Sequence, residues 1–150
     1  MEKLIPVVSD KKRFLPLLLL ADPDEGMVDR YLADGEMFVL EVDGKVVSEA
    51  VVLPLSGSLC ELKNLAVEEA LHRQGYGSRM LWRLFDHYRG RFSRMQVGTS
   101  DPRFYEKAGF VYSHTVPGFF TEHYPEPIYD NGVQCVDMIY LVKELDGPCP

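Results

Sequence analysis

A chain of 150 residues, 46% hydrophobic and 26% charged, has the size and balance of one compact globular domain that buries its core without disulfide or metal staples. Its formal net charge of −7 repels nucleic-acid phosphates and anionic lipid headgroups, which excludes both as general partners and favours small cationic amines. Cys60, Cys135 and Cys149 are odd in number and lack a CxxC spacing, so neither a disulfide framework nor a metal site is expected, and a reducing, cytoplasmic setting is.

In chain order, residues 4–8 read as a first strand, and 10–21 and 25–33 as two short helices. The basic triplet Lys11-Lys12-Arg13 followed by an apolar run resembles part of a signal peptide. The run starts late, carries Pro16 and falls far short of the ~20 residues that span a bilayer, so a core helix is the expectation there. Residues 37–42 and 45–53 are β-rich and joined across Asp43-Gly44, a dipeptide suited to the type I′ turn of a hairpin. A strand over 59–67 follows. Residues 75–88 form the best helix of the chain, with Tyr76, Met80, Leu81, Leu84, Phe85 and Tyr88 on one stripe. A strand over 94–98, a short helix over 103–107 and a strand over 110–115 come next. Residues 116–133, rich in Pro, Gly and aromatics, are expected to be a long ordered loop, and 134–143 a last strand. This order gives an α/β sandwich around a mixed rather than purely parallel sheet.

Gly75-Tyr76-Gly77 is weak by itself, because 12 glycines in 150 residues yield roughly one such pair by chance. Its setting adds weight: the pair opens a strong helix shortly after a strand. A helix start leaves backbone N–H groups without partners, and none of His72, Arg73 and Gln74 is a preferred cap. Open donors, the positive end of the helix dipole and the Arg73 cation together suit an anion. Glycine at 75 and 77 lets a bulky pyrophosphate approach the backbone. The absence of a following Gly-Lys-Ser/Thr argues against a Walker-type nucleotide site.

Three runs carry a specific resemblance: Asn64-Leu65-Ala66-Val67, then His72-Arg73-Gln74-Gly75-Tyr76-Gly77-Ser78, then Phe104-Tyr105-Glu106-Lys107-Ala108-Gly109-Phe110. Their content and separation resemble the GNAT superfamily of N-acetyltransferases over most of residues 35–143. Residues 123–129 are similar to a bacterial branch of that superfamily whose substrates are mostly unassigned. The resemblance implies a mixed, mostly antiparallel central sheet flanked by helices, and acetyl-CoA as acetyl donor. It implies that backbone groups of Leu65, Ala66 and Val67 hold the pantetheine arm like an added strand, and that Arg73, Gln74, Gly75, Tyr76, Gly77 and Ser78 hold the pyrophosphate. Two positions depart from the pattern. His72 stands where Gln or Arg is usual, and Gly98 where many members carry Asn, with Thr99, Ser100 or Asp101 as candidate replacements.

The implied reaction is direct transfer of an acetyl group to the amine of a small molecule or peptide. Deprotonating a lysine-like amine of pKa ~10.4 at pH 7 costs roughly 4.6 kcal/mol, so a base is useful. Glu61, on the central strand, matches a position from which some members supply it; a solvated or salt-bridged strand Glu is the plain alternative. Strict alternation puts Glu61, Lys63, Leu65 and Val67 on one face of that strand. Tyr105 matches the family acid that protonates the departing thiolate, with a core aromatic as the alternative. The 116–133 loop offers Phe119, Phe120, Tyr124 and Tyr129 beside Glu122, Glu126 and Asp130, either as an acceptor wall or as packing over the core or a homodimer surface. A non-catalytic acyl-CoA sensor is the alternative function.

Overall fold

The computed structural model describes residues 1–130 and 132–145, so Cys149 lies outside the described residues. The strands are β1 (Glu2–Val7), β2 (Glu36–Val42), β3 (Lys45–Pro54), β4 (Leu59–Val67), β5 (Arg94–Thr99), β6 (Val111–Val116), β7 (Tyr129–Asp130), β8 (Val133–Gln134) and β9 (Met138–Glu144). Between them run α1 (Leu15–Ala21), α2 (Glu25–Leu32), α3 (Tyr76–Tyr88), α4 (Arg103–Lys107) and α5 (Phe119–His123). Seven strands build one sheet in the order β1-β2-β3-β4-β5-β9-β6, antiparallel throughout except for the β4–β5 pair. The sheet is therefore mixed and mostly antiparallel, as expected.

Local chemistry sets the elements. Asp43 and Gly44 both take positive φ (52° and 85°), the type I′ requirement that closes β2 onto β3. The Asp24 carboxylate accepts from the Met27 N–H at 3.0 Å and so caps α2. The stretch 10–21 is not one helix: Lys11–Phe14 is a 3₁₀ turn, and α1 starts only at Leu15, with Pro16 in its first turn. The 116–133 loop likewise contains the five-residue α5, and 133–134 pairs with 129–130 in a short ladder, so the last sheet strand begins at Met138 rather than at 134.

Each sheet face carries its own core. On one side α3 buries Met80, Leu81, Leu84, Phe85 and Tyr88 completely, against residues such as Leu40, Val52, Leu62 and Met95. Each such side chain contributes about 1.5–3 kcal/mol by leaving water. On the other side Leu18 of α1 and Val28, Tyr31 and Leu32 of α2 pack on Met37, Val39 and Val51.

Two irregularities of β4 matter for the site. Val51 faces Asn64 but Val52 faces Leu62, so Lys63 is an extra residue, a β-bulge. The bulge corrects the expected alternation. Leu62 and Leu65 both turn to the α3 core, whereas Asn64 reaches the α1 and α2 side, where it donates to the Leu18 carbonyl. Glu61 is opposite Leu53, on that same α1 and α2 side, and no longer shares a face with Leu65. Secondly, β4 and β5 pair only from Leu59↔Arg94 to Leu62↔Val97 and then part, which leaves the β4 edge from 63 to 67 without a β5 partner.

Candidate functional site

The parted strands open into two cavities. The smaller, about 410 Å³, lies between the unpaired edge of β4 and the start of α3. Leu65, Ala66 and Val67 line one side of it; Arg73, Gly75, Tyr76, Gly77 and Ser78 line the other. Gln74 is exposed and is not among the lining residues.

Gly75 is the N-cap of α3 with φ 84°, and no side chain caps the helix, so the first-turn N–H groups are open to a ligand. A Cβ at Gly75 would meet nothing within 4 Å, whereas one at Gly77 would lie 3.1 Å from Phe104 Cζ. The first glycine thus faces open space and supplies the left-handed turn; the second allows close packing of α4. Arg73 also has positive φ, 67°. Arg79 and Arg83 are paired with Glu2, at 3.4 and 2.9 Å, while Arg73 has no ion pair among the described residues. His72 turns back: its Nε2–H donates to the Val67 carbonyl at 2.8 Å, since a carbonyl can only accept. It therefore braces the cradle's base.

The larger cavity, about 610 Å³, lies on the α1 and α2 side and is lined by both parted strands and by Phe119, Phe120, Tyr124, Tyr129 and Asp130 of the 116–133 stretch. Glu122 and Glu126 are exposed and do not line it. That stretch thus forms a cavity wall. Leu20, Ala21, Leu65 and Tyr105 line both cavities and mark where they meet.

Tyr105 is partly buried, and its hydroxyl has no hydrogen-bond partner among the described residues. Burial, with the nearby Glu49 carboxyl second, pushes its phenol up, so it holds its proton at neutral pH. Glu61 is only 7% exposed and lines the larger cavity. Its Oε1 accepts from Gln96 Nε2 at 2.7 Å and its Oε2 from Lys63 Nζ at 2.9 Å. The two expected catalytic side chains both border the larger cavity.

A polar network that sequence reasoning missed joins the walls. Asp22, 9% exposed between α1 and α2, accepts from Tyr31 Oη at 3.0 Å through Oδ2 and from Tyr124 Oη at 2.8 Å through Oδ1. Tyr31 Oη in turn accepts from Asn64 Nδ2 at 3.0 Å. Burial raises the Asp22 carboxyl, and the two phenol donors oppose that shift. No local motif marks this network, because Tyr124 stands 102 residues from Asp22. At Gly98 a Cβ would lie 2.9 Å from both Met138 Sδ and Tyr140 Cε1, so an Asn there requires those side chains to shift. Thr99 and Ser100 line the cavity beside it, and Thr99 Oγ1 is bonded within its own turn to Asp101. Cys60 and Cys135 are free and buried, burial pushing the Cys60 thiol up to about 12. Among the described residues no group of three or more His, Cys, Asp or Glu could hold a metal, and no helix is long and apolar enough to cross a membrane.

Comparison with known proteins agrees with this geometry. The family described as the Acetyltransferase (GNAT) domain matches residues 33–112. Over 135 residues, 86% of this chain and 87% of the relative, the sequence is 32% identical to the uncharacterized N-acetyltransferase YvbK of Bacillus subtilis (strain 168). Among solved structures, a GNAT family acetyltransferase from Elizabethkingia anophelis with acetyl-CoA bound superposes with a TM-score of 0.89 at 31% identity, covering 95% of this chain and 97% of that one. An IAA acetyltransferase from Bacillus cereus ATCC 14579 gives 0.86 at 32% identity, covering 96% and 99%.

Proposed function

Since this chain belongs to the GNAT acetyltransferase family, we propose that it moves an acetyl group from acetyl-CoA directly to a primary amine of a small molecule or peptide, as a single acetyltransferase domain in the cytoplasm. The observation that carries this reading is the meeting of a cradle cavity and an aromatic, acid-lined cavity at Leu65 and Tyr105. Donor and acceptor thereby reach one point from opposite sides.

The cradle residues fit the donor chemically. The open N–H groups at 75–78 and the unpaired Arg73 suit a pyrophosphate, and Gly75 leaves its approach clear. The free backbone edge of β4 at Leu65 and Val67 suits the amide-bearing arm as an added strand. Bound there, acetyl-CoA supplies the activated thioester. In the transfer the amine nitrogen bonds the acetyl carbon and the carbon–sulfur bond breaks. Tyr105, holding a proton and lacking a competing partner, gives it to the departing sulfur. Glu61, on the wall of the larger cavity, takes the amine proton directly or through one water. Its two hydrogen-bonded oxygens each keep a lone pair for that purpose.

The test is thiol release with acetyl-CoA across alkylamines, amino acids, polyamines, aminoglycosides and peptides. Amine-dependent release with matching acetylated product supports the reading. Full activity in a Tyr105→Phe, Glu61→Gln double variant removes both assigned roles.

A further inference from the structure

The larger cavity holds a carboxylate that is in no ion pair among the described residues. Asp22 is nearly buried, and both of its oxygens are held by neutral phenols; no Lys, Arg or His pairs with it among the described residues. A buried carboxylate is ordinarily matched by a cation, because two neutral hydrogen bonds do not replace the hydration it has lost. Two cations, Lys63 and Arg30, line the same cavity without pairing with Asp22: Lys63 is committed to Glu61 and sits over the Tyr31 ring, 5.5 Å from its centroid, and Arg30 is exposed. A second acceptor is also unmet. Asn64 lines the same cavity at 3% exposure, and its Oδ1 is buried without a partner. Its orientation is set by the Leu18 carbonyl, which can only receive the Nδ2 donor.

A carboxylate held by neutral donors and in no ion pair among the described residues calls for a group that brings N–H bonds and a positive charge. An ammonium has three donors and no acceptor. The setting suits it further, since Tyr31 and Tyr124, whose hydroxyls are turned onto Asp22, line the cavity together with Phe119 and Phe120. Position matters as well. Asp22 lines the larger cavity and follows Leu20 and Ala21, which line both cavities.

We propose that Asp22 is the acceptor-binding anion of this enzyme, docking the ammonium of an arylalkylamine whose aryl group lies along the wall of Phe119, Phe120 and Tyr124. The proposal rests on the acetyltransferase reading of the same site and names its acceptor class. Tyr31 and Tyr124 then act as positioning residues: by holding both oxygens they fix the carboxylate in the wall.

Phenethylamine is the probe, with 2-phenylethanol as its neutral counterpart, each titrated calorimetrically into the CoA-saturated protein at neutral pH. Wild type is expected to bind the amine at least tenfold more tightly than the alcohol. Asp22→Asn keeps the shape and is expected to weaken the amine at least tenfold while leaving the alcohol and CoA unchanged. Glu122→Gln removes an exposed acid outside the cavity and is expected to hold amine affinity within a few fold, which separates the Asp22 charge from the general negative charge, while unchanged CoA affinity in Asp22→Asn reports an intact fold. Equal amine binding by wild type and Asp22→Asn, or no preference of wild type for amine over alcohol, overturns the proposal. Failure of CoA itself to bind is the separate result that strikes the acetyltransferase reading.

Discussion

Tyr105 and Glu61 show how one side chain is read differently once its neighbours are known. Both are legible by motif, but only the structure shows that the Tyr105 hydroxyl has no partner among the described residues and that Glu61 is held by Lys63 and Gln96. Tyr105→Phe is expected to lower kcat about 100-fold with little change in KM for acetyl-CoA, because the hydroxyl acts on the leaving sulfur; steady-state kinetics check this. Glu49 supplies a pH prediction. It is fully buried in β3 with neither carboxyl oxygen partnered, and burial raises its proton affinity well above the ordinary carboxylate range. The folded form therefore holds the proton more tightly than the unfolded form. The resulting stability is complete below the unfolded pKa and is lost as pH rises through the raised folded value. Denaturation midpoints across pH should fall with rising pH in wild type and flatten in Glu49→Gln. Parallel curves for the two proteins would count against it.

At the scale of elements, the cradle is the part most legible in advance. The Asp43-Gly44 turn, the α3 stripe and the uncapped helix start are all local patterns, written within a few residues of one another. The bulge at Lys63 and the Asp22–Tyr124 bond are not, since each depends on which strand or loop lies opposite. A period-2 pattern gives no sign of the one-residue slip that moves Glu61 away from the face of Leu65. Gly75→Ala is expected to cost about 1–2 kcal/mol, because a Cβ strains the left-handed backbone at φ 84° rather than colliding with anything. A chemical denaturation curve measures that loss, and CoA affinity should fall with it as the N–H cradle shifts. Leu84→Ala, by contrast, empties a fully buried position on α3 and is expected to cost about 2–5 kcal/mol without touching either cavity.

Taken whole, the molecule is a sheet split along one seam, with a core on each face and a cavity on each side of the opening. Its net charge of −7 and the carboxylates of Asp22, Glu61 and Asp130, set in the larger cavity beside Arg30 and Lys63, favour a cationic acceptor, while Arg73 and the α3 N-terminus give the phosphates a local positive site. CoA should therefore stabilise the folded chain, by ~2.7 kcal/mol at 100 times its Kd. An acyl-CoA sensor predicts the same stabilisation, so binding alone does not distinguish it from an enzyme. The deciding measurement is CoA release from acetyl-CoA with and without phenethylamine, paired with mass spectrometry of the amine. Amine-dependent thiol release with one N-acetylated product per thiol, greatly reduced in Tyr105→Phe, is the predicted result. Tight CoA binding with no acetylated product from this or any other amine class would contradict the account.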